Sequence, residues 1–466
     1  MSLSQNTGIG TALALLLLIS LLGGCSEDTP TEHVVNLPPE THLFLSLPDS
    51  VEMPDTSTSE KILHWYGDDP DGEVVGYYYA WDDTSDTSWA LTERVTDTFY
   101  VPIREAYGEF TFYVKALDNE GLEDPTPAHM TFPVINSPPE VEFPVDFVIN
   151  YSEEDFVSFT VFTFGWSGSD LDGDETITSY EHYLGSDTIA VDSATFETLS
   201  WSEIPGEEKS LTLRGIEPGY HRFFLRAIDI AGARSAVIYY PDTTGSWLVK
   251  GPAGELLYVD DNRYFYNTEW IYTDILDSIY GEGGYSTWNV EDHISYYPKD
   301  ITETLQFFCK VVWNSGSYPH FSEAQNGLVS FLNSGGHLMV ASTYASAPYQ
   351  DTTMYSFLPM DSVTVTNIIR PSVFYSQDTL RYPNIRPTTP LSYTFGFRPA
   401  SPSALAPDSV CPLYRVQDQG GPITGARYPA EGPATVIFFS FPVHDCNEDE
   451  AFRRLLPFIV MEEFQG

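Results

Sequence analysis

Between residues 36 and 248 apolar and polar side chains alternate with a period of two, in short runs broken by Gly, Pro, Asn and Asp. No long helical period intervenes, so the segment is expected to form β-sandwiches of about 100 residues each. From Leu256 the pattern changes. "LLYVDDN" (256–262), "YSTWNV" (285–290), "KVVWNSG" (310–316), "HLMVAS" (337–342) and "VIFFSF" (436–441) are short apolar runs. They read as strands buried on both faces of a parallel sheet. Between them, "TEWIYTDILDSIY" places Trp270, Ile271, Ile275 and Ile279 on one side of a helix. "SEAQNGLVSFLNSGG" opens with Ser322 and Gln325 as a capping box and closes at Gly335. The chain is therefore expected to be multidomain. Two all-β sandwiches, at 36–135 and 136–250, precede a three-layer α/β domain with a mainly parallel sheet at 251–466, flavodoxin-like in outline.

The two sandwich segments repeat each other. "NLPPE" at Asn36 returns as "NSPPE" at Asn136, "WYGDDPDGE" at Trp65 as "WSGSDLDGDE" at Trp166, and "FTFYVKALDNEG" as "HRFFLRAIDIAG", which aligns Asp118 with Asp229. The last offset exceeds the first two by about ten residues, so the second copy carries an insertion between its middle and later strands. The acidic turns invite a calcium reading. Asp170, Asp172, Asp174 and Glu181 fall at positions 1, 3, 5 and 12 of a twelve-residue count. However, Gly173 sits at position 4, not at the position 6 that the sharp turn of such a loop needs, and the first copy has Ala80 in place of the final glutamate. A hairpin turn in both copies, with Asp-Gly supplying a positive backbone angle and Asp side chains satisfying local amides, is the simpler expectation.

The strand Trp65 and Trp166, the turn after each, and the later "EPGYHRFFLRAID" resemble fibronectin type III domains, or the wider immunoglobulin-like class, over roughly residues 36–248. The C-terminal part resembles the class I glutamine amidotransferase-like fold over about 253–463. The likeness rests on a first strand ending in two aspartates, "VVWNSG", "FLNSGGHLMVAS" and "FFSFPVHD" before a terminal helix. That resemblance implies a cysteine nucleophile at the position of Ser342 and a histidine near His444; no cysteine stands there.

The first residues change the question of where these domains work. Thr11–Leu22 is a mostly apolar run of 12 residues, short of the roughly 20 that cross a bilayer and suited to a signal peptide. Leu22-Gly23-Gly24-Cys25 resembles the bacterial lipobox, which implies thioether lipidation and acylation of Cys25, although no Lys or Arg precedes it. The expectation is a signal peptide at 1–24, an acidic tether at 25–35 and a membrane-anchored envelope protein, with Ser26 compatible with the outer membrane or cell surface by the same resemblance. Cleavage elsewhere and a short amphipathic anchor are the alternatives. With 67 acidic and 21 basic residues the formal charge is −46, which excludes nucleic acid as a partner. Past Cys25, Cys411 and Cys446 form a possible bridge, and Cys309, inside "QFFCKVVW", reads as a buried free thiol.

Ligands of open α/β sheets sit beyond the carboxyl ends of the strands, so Asp260, Asp261, Asn314, Ser315, Ser342, Thr343, His444 and Asp445 are the candidates. One arrangement is an exported serine hydrolase, with Ser342 as nucleophile, His444 as base and Asp445 or Glu448 orienting it. Against it, the places two residues either side of Ser342 hold Val340 and Tyr344 where a nucleophile elbow uses glycine. Asp260 and Asp261 with Asp445 form a weak cation candidate. The leading expectation is a non-enzymatic binding or assembly role without a cofactor, toward an envelope protein or a polysaccharide. The other readings are the hydrolase and a calcium-dependent adhesion module.

Overall fold

The computed structural model describes residues 35–45, 60–100, 105–145, 156–241, 245–262, 267–291, 294–316, 319–342, 352–365, 371–388, 391, 394–401, 409–416 and 420–465. The signal, Cys25, the tether as far as residue 34, Thr343 and Tyr344 lie outside these residues. Two compact units divide the chain. The first comprises Met1–Thr56, Lys61–Phe99 and Glu109–Val134, and the second Ser57–Glu60, Tyr100–Gly108 and Ile135–Gly466.

The first repeat is a sandwich of two antiparallel sheets. Strands β1 (Glu40–Leu45), β2 (Glu60–Asp68), β3 (Val74–Trp81), β4 (Ala90–Thr92), β5 (Thr96–Tyr100), β6 (Tyr107–Asp118) and β7 (Ala128–Ile135) form the sheets β1-β2-β5 and β4-β3-β6-β7. Alternate residues face inward, so Leu63, Trp65, Phe112, Val114 and Ala116 are buried, and Trp65 lies 5.7 Å from Phe112 between ring centres.

The second repeat contains β8 (Glu140–Glu142), β9 (Phe156–Ser158), β10 (Val161–Gly165), β11 (Ser167–Ser169), β12 (Ile177–Ser186), β13 (Ser202–Pro205), β14 (Ser210–Arg214), β15 (Gly219–Asp229), β16 (Ile238–Tyr240) and β17 (Trp247–Val249). The pairs β8-β11 and β10-β14 face a sheet ordered β13-β12-β15-β17-β9, with β16 on β15. Phe164 stacks on Phe223 at 4.0 Å beside buried Trp166 and Trp247. A single helical turn, Ser193–Phe196, lies between β12 and β13, where the second copy is longer.

The sequence repeats converge in space as one polar knot per copy. Asn36 Nδ2 donates to Asp118 Oδ2 at 2.6 Å, and the Leu37 amide to Asp71 at 3.2 Å. In the second copy Asn136 Nδ2 donates to Asp229 Oδ2 at 2.6 Å, and the Ser137 amide to Asp172 at 2.6 Å. The Asn-x-Pro-Pro segment is thereby pinned to the acidic turn and to the end of a long strand. Neither acidic turn is a hairpin, because β2 and β3, like β11 and β12, lie in different sheets; Gly173 takes the expected positive φ of 110°, whereas Gly72 does not. A Cβ at Gly72 would instead fall 2.4 Å from Asn119 Oδ1 and 2.6 Å from Asp69 Oδ2.

After β17 the chain alternates β18 (Leu256–Asp261), α1 (Glu269–Tyr280), β19 (Ser286–Asn289), α2 (Pro298–Leu305), β20 (Lys310–Ser315), α3 (Phe321–Asn333) and β21 (His337–Ser342). It then adds β22 (Met360–Val365), β23 (Tyr375–Ser376), β24 (Gly396–Pro399), β25 (Cys411–Arg415), β26 (Ile423–Tyr428), β27 (Val436–Phe439) and α4 (Ala451–Phe458). All ten strands share one sheet, whose main path is β19-β18-β20-β21-β27-β26-β24-β22. Only the first five strands of that path are parallel. The sheet is thus mixed rather than mainly parallel, because the long insertion between β21 and β27 supplies antiparallel strands that extend it past β27.

Successive residues of each parallel strand enter different cores. Leu257, Val259, Val311, Trp313, Leu338, Val340 and Phe438 pack with α2 and α3, through Ile301, Leu305, Ala324 and Leu328. Leu256, Tyr258, Val312, Met339, Ala341, Ile437 and Phe439 pack with α1 and α4, through Tyr272, Ile275, Leu276, Phe452 and Leu455. Four expectations are corrected. Trp270 is 61% exposed, since the helical period that buries Tyr272, Ile275 and Leu276 turns it outward. Helix α3 starts two residues earlier than the capping box required, with His320 at its N-cap; Ser322 bonds to Glu323 and Gln325 to Ser356. Cys309 is exposed because it precedes β20, and Cys411 and Cys446 are both free thiols.

Within the second unit the sandwich and the sheet domain are joined by packing and by a buried acid. Phe159 sits in the α2/α3 core, 5.4 Å from the Phe308 ring, and Tyr297 packs against the sandwich core. The Asp300 carboxylate, on α2, accepts the Thr163 amide at 2.9 Å, the Thr163 hydroxyl at 2.5 Å and the Ser295 hydroxyl at 3.1 Å. Arg214 and Glu303 pair at 2.5 Å on the rim. Asp300→Ala strands three donors and is expected to lower the unfolding free energy by about 2–4 kcal/mol in urea denaturation, Asp300→Asn by less. A loss too small to resolve for Asp300→Ala would remove the joint from the stability of this unit.

Candidate functional site

The parallel strands run β19-β18-β20-β21-β27, so chain direction across the sheet reverses between β18 and β20. The crevice beyond the strand ends at such a reversal is where open α/β sheets receive ligands. Asp260 and Asp261 end β18, Asn314 and Ser315 end β20, Ser342 ends β21, and His444 lies in the turn Val443–Asp445 after β27. All six are buried.

The pleat divides them. Asp260 and Asn314 continue the residues that face α1 and α4, and Asn314 joins a chain of hydrogen bonds there. Asn314 Nδ2 donates to Thr268 Oγ1 at 2.8 Å, and the Tyr272 hydroxyl donates to Asn314 Oδ1 at 3.4 Å. Tyr272 also meets His444 Nδ1 at 3.2 Å. With the tyrosine proton directed at Asn314, the oxygen accepts from His444, which puts the imidazole proton on Nδ1. Asn262 donates to the same Thr268 hydroxyl at 2.9 Å. Burial pushes His444 down to about 4, so the ring is neutral through the physiological range.

Asp261, Ser315 and Ser342 face the other core. Asp261 accepts Trp313 Nε1 at 2.9 Å, the His320 amide at 2.9 Å and His320 Nδ1 at 2.8 Å. This carboxylate, held above its ordinary range by burial despite those donors, anchors the start of α3, the role expected of Ser322 and Gln325. Ser342 Oγ makes no hydrogen bond. A base must come within about 3 Å of the hydroxyl it activates. Ser342 and His444 therefore form no dyad: the histidine is hydrogen-bonded to Tyr272 on the α1 side, and the serine shares its face with Leu338 and Val340.

Asp260 differs from its neighbours. It is 2% exposed, and its Oδ1 makes no hydrogen bond. Burial first, then the charges of Glu291 and Glu269, push the carboxyl up to about 7. Thr268, Tyr272 and His320 escaped sequence reasoning, because a helix-forming pattern and a loop residue before a helix carry no mark of polar function. Only their nearness in sequence to strand ends was visible.

The acidic turn of the second repeat is occupied by its own backbone. Asp170 accepts the Asp172 amide and the Thr176 hydroxyl, and Asp174 accepts the Asp170 amide. Glu181 lies on β12 and pairs with Arg226 at 2.6 Å. Among the described residues no group of three His, Cys, Asp or Glu side chains is placed to hold a metal ion, and no helix is long and apolar enough to cross a membrane. An open cleft of about 530 Å³ lies elsewhere, at one end of the second sandwich, beside Leu184, Arg214, Tyr220 and His221.

No described protein family and no curated protein matches the chain. Solved structures that resemble it include fibronectin(III)-like modules of Clostridium thermocellum CbhA, at 13% identity over 45% of this chain and 95% of that one, with a TM-score of 0.18. A segment of two fibronectin type III domains from chicken tenascin matches at 14% identity over 43% and 96%, TM-score 0.22. A putative ThuA-like protein from Bacteroides uniformis matches at 11% over 45% and 91%, TM-score 0.31. The neighbours include fibronectin III-like and other β-sandwich domains, and none of their activities carries over at these scores.

Asp260 and His444 titrate in one window with opposite effect. Asp260 in the folded chain holds its proton to about 7 and in the unfolded chain loses it near 3.8, so its contribution falls by on the order of 4 kcal/mol as pH rises between them. The unfolded chain protonates His444 near 6.5 and the folded chain near 4, so that contribution rises by on the order of 3 kcal/mol over the overlapping range. Relative to the parent, the stability of Asp260→Asn is expected to rise by on the order of 4 kcal/mol between about pH 4 and about pH 7, and that of His444→Gln to fall by on the order of 3 kcal/mol. Urea denaturation across that range measures both differences, in which the remaining carboxylates cancel. Profiles parallel to the parent's would remove the assignment.

Proposed function

We propose that this chain is a lipid-anchored protein of the bacterial cell envelope that binds or assembles and does not catalyse. Cys25 after Leu22-Gly23-Gly24 is the lipidation site, the acidic segment 25–35 is a solvated tether, and the fibronectin-like sandwiches carry the C-terminal domain away from the outer membrane or cell surface. That domain is read as a three-layer, amidotransferase-like α/β fold without its chemistry. Acyl chains add roughly 0.8 kcal/mol per buried methylene, so more than one holds a protein on a bilayer stably.

The observation that carries the non-catalytic reading is the hydrogen bond from buried, neutral His444 to Tyr272, away from Ser342. With the imidazole engaged on one face and the hydroxyl on the other, no base is available to the only nucleophile that the amidotransferase likeness offers. The residues at the strand ends instead hold α1 and α3 in place, a scaffold's use of the same positions.

Two measurements separate the parts of this reading. Cys25→Ser is expected to move the protein from the membrane to the soluble fraction and to abolish the mass increment of the acylated N-terminus; an unmodified parent would sink the anchor. A fluorophosphonate probe for activated serines is expected to leave the full chain unlabelled. Labelling that Ser342→Ala abolishes would establish the hydrolase instead.

A further inference from the structure

The first sandwich holds its large rings on the outside as well as the inside. Strand β1 is an edge strand of the β1-β2-β5 sheet, and its register sets His42 opposite Tyr66 and Phe44 opposite His64. His42 stacks on Tyr66 at 4.7 Å and Phe44 on His64 at 5.6 Å, with Phe44 tilted toward Tyr66 at 6.2 Å. Phe44 and Tyr66 are 48% and 46% exposed, and Ile62 extends the row. Cross-strand stacking of this kind stabilises a sheet by about 0.5–1.5 kcal/mol per pair, but it uses one face of each ring and leaves the outer face open.

The second repeat shows what this face is for. Its register is the same: Ser167 opposes Glu142, as Tyr66 opposes His42. The repeat offsets place Thr163 and Gly165 where the first copy has Ile62 and His64. There the face is a docking surface, since Thr163 bonds to Asp300 and Gly165 lies against Tyr297 so closely that a Cβ would fall 1.7 Å from its hydroxyl. Small and polar residues admit the chain's own helix α2. In the first repeat the same positions carry bulk and rings, which select a different occupant.

Charge and size identify its class. Between the strand ends the row carries no lysine, arginine or carboxylate; at one end of the same face Glu40 stands opposite Asp68, and Asp68 lies 3.9 Å from His42. In a chain of net charge −46, phosphate polymers and anionic lipid are repelled. Five side chains fall well short of the roughly 20–30 residues a side that a stable protein interface uses. What fits is an uncharged chain with alternating flat C–H faces and hydroxyls. The polarised C–H groups of a pyranose meet the negative ring faces, and the tyrosine hydroxyl and imidazole nitrogens bond to its hydroxyls. We propose that the outer face of β1 and β2 binds a neutral polysaccharide, with Phe44 and Tyr66 stacking on sugar rings and His42 and His64 supplying hydrogen bonds.

The site is independent of the anchor and of the sheet domain, so its test stands apart from theirs. Affinity electrophoresis of the full chain through gels containing hydroxyethyl cellulose, laminarin, mannan or soluble starch is expected to show retardation by at least one, and none by dextran sulfate. Phe44→Ala combined with Tyr66→Ala is expected to weaken that binding about tenfold or more, while Tyr66→Phe retains most of it. Circular dichroism checks the fold, and should the double variant unfold, single Phe44→Ser and Tyr66→Ser changes replace it. Migration unaffected by every neutral polysaccharide, or equal retardation of folded ring-deleted variants, would overturn the proposal, as would capture of a protein partner through these rings without any glycan binding.

Discussion

Successive side chains of a strand point to opposite faces of its sheet, and that alternation governs the C-terminal domain from its cores to its strand ends. It sends Leu257 and Val259 to one core and Leu256 and Tyr258 to the other. It then sends Asp261 toward α3 and leaves Asp260 toward α1. Two adjacent aspartates that look like one acidic pair in the sequence thus belong to different environments: Asp261 is wrapped by three donors, whereas Asp260 keeps an oxygen without a partner. The same rule parts Ser342 from His444. A catalytic pair across the sheet would require the strand end to break its pleat, and the bond from His444 to Tyr272 opposes that.

Burial makes the second demand. An acidic chain of this charge folds by giving its interior carboxylates donors rather than by keeping them all in water. Asp118 and Asp229 close the repeat knots with Asn36 and Asn136. Asp300 closes the joint between sandwich and sheet, and Glu463, at the end of the helical turn that continues α4, is buried against Arg427 at 2.8 Å. Removing one member of such a pair leaves the other charge or donor uncompensated, so these acids specify where segments sit more than they add stability. Asp260 lacks such compensation, which is why its acidity moves so far.

Period-two alternation and the three repeat signatures were legible because each reflects a local rule: pleat, turn chemistry and a strand buried on both faces. The placing of Trp65 on a strand followed from them, and the helical period marked α1 and α3 but not the short α2 (Pro298–Leu305). The antiparallel extension was not legible, since strands such as Ile423–Tyr428 and Gly396–Pro399 are short, carry Arg427 and Arg398 inside them, and lie among turns. The strand-end candidates were found by position, but their partners were not. Pairing across chain separations such as Tyr272 with His444 depends on which helix face meets which strand end, and no short pattern carries that. The capping of α3 failed for the same reason. Asp261, 59 residues upstream, does what Ser322 and Gln325 were expected to do.

The repeats also show how one register serves two purposes. Leu43 opposite Trp65 in the first copy, and Phe143 and Trp166 at the corresponding offsets in the second, keep the inner face apolar. The inner face cannot change without loss of the core, so divergence is confined to the outward set. There Gly165 and Thr163 reduce the surface until a helix fits against it, and the joint becomes part of one compact unit. Ile62 and His64 at the matching positions of the first copy carry bulk where Thr163 and Gly165 leave room. A strand interior imposes no need for four aromatic or imidazole rings half in water, and a soluble sheet face is more simply built from Thr, Lys and Glu. The outward set is therefore where selection on contact, as distinct from selection on folding, is recorded in this protein.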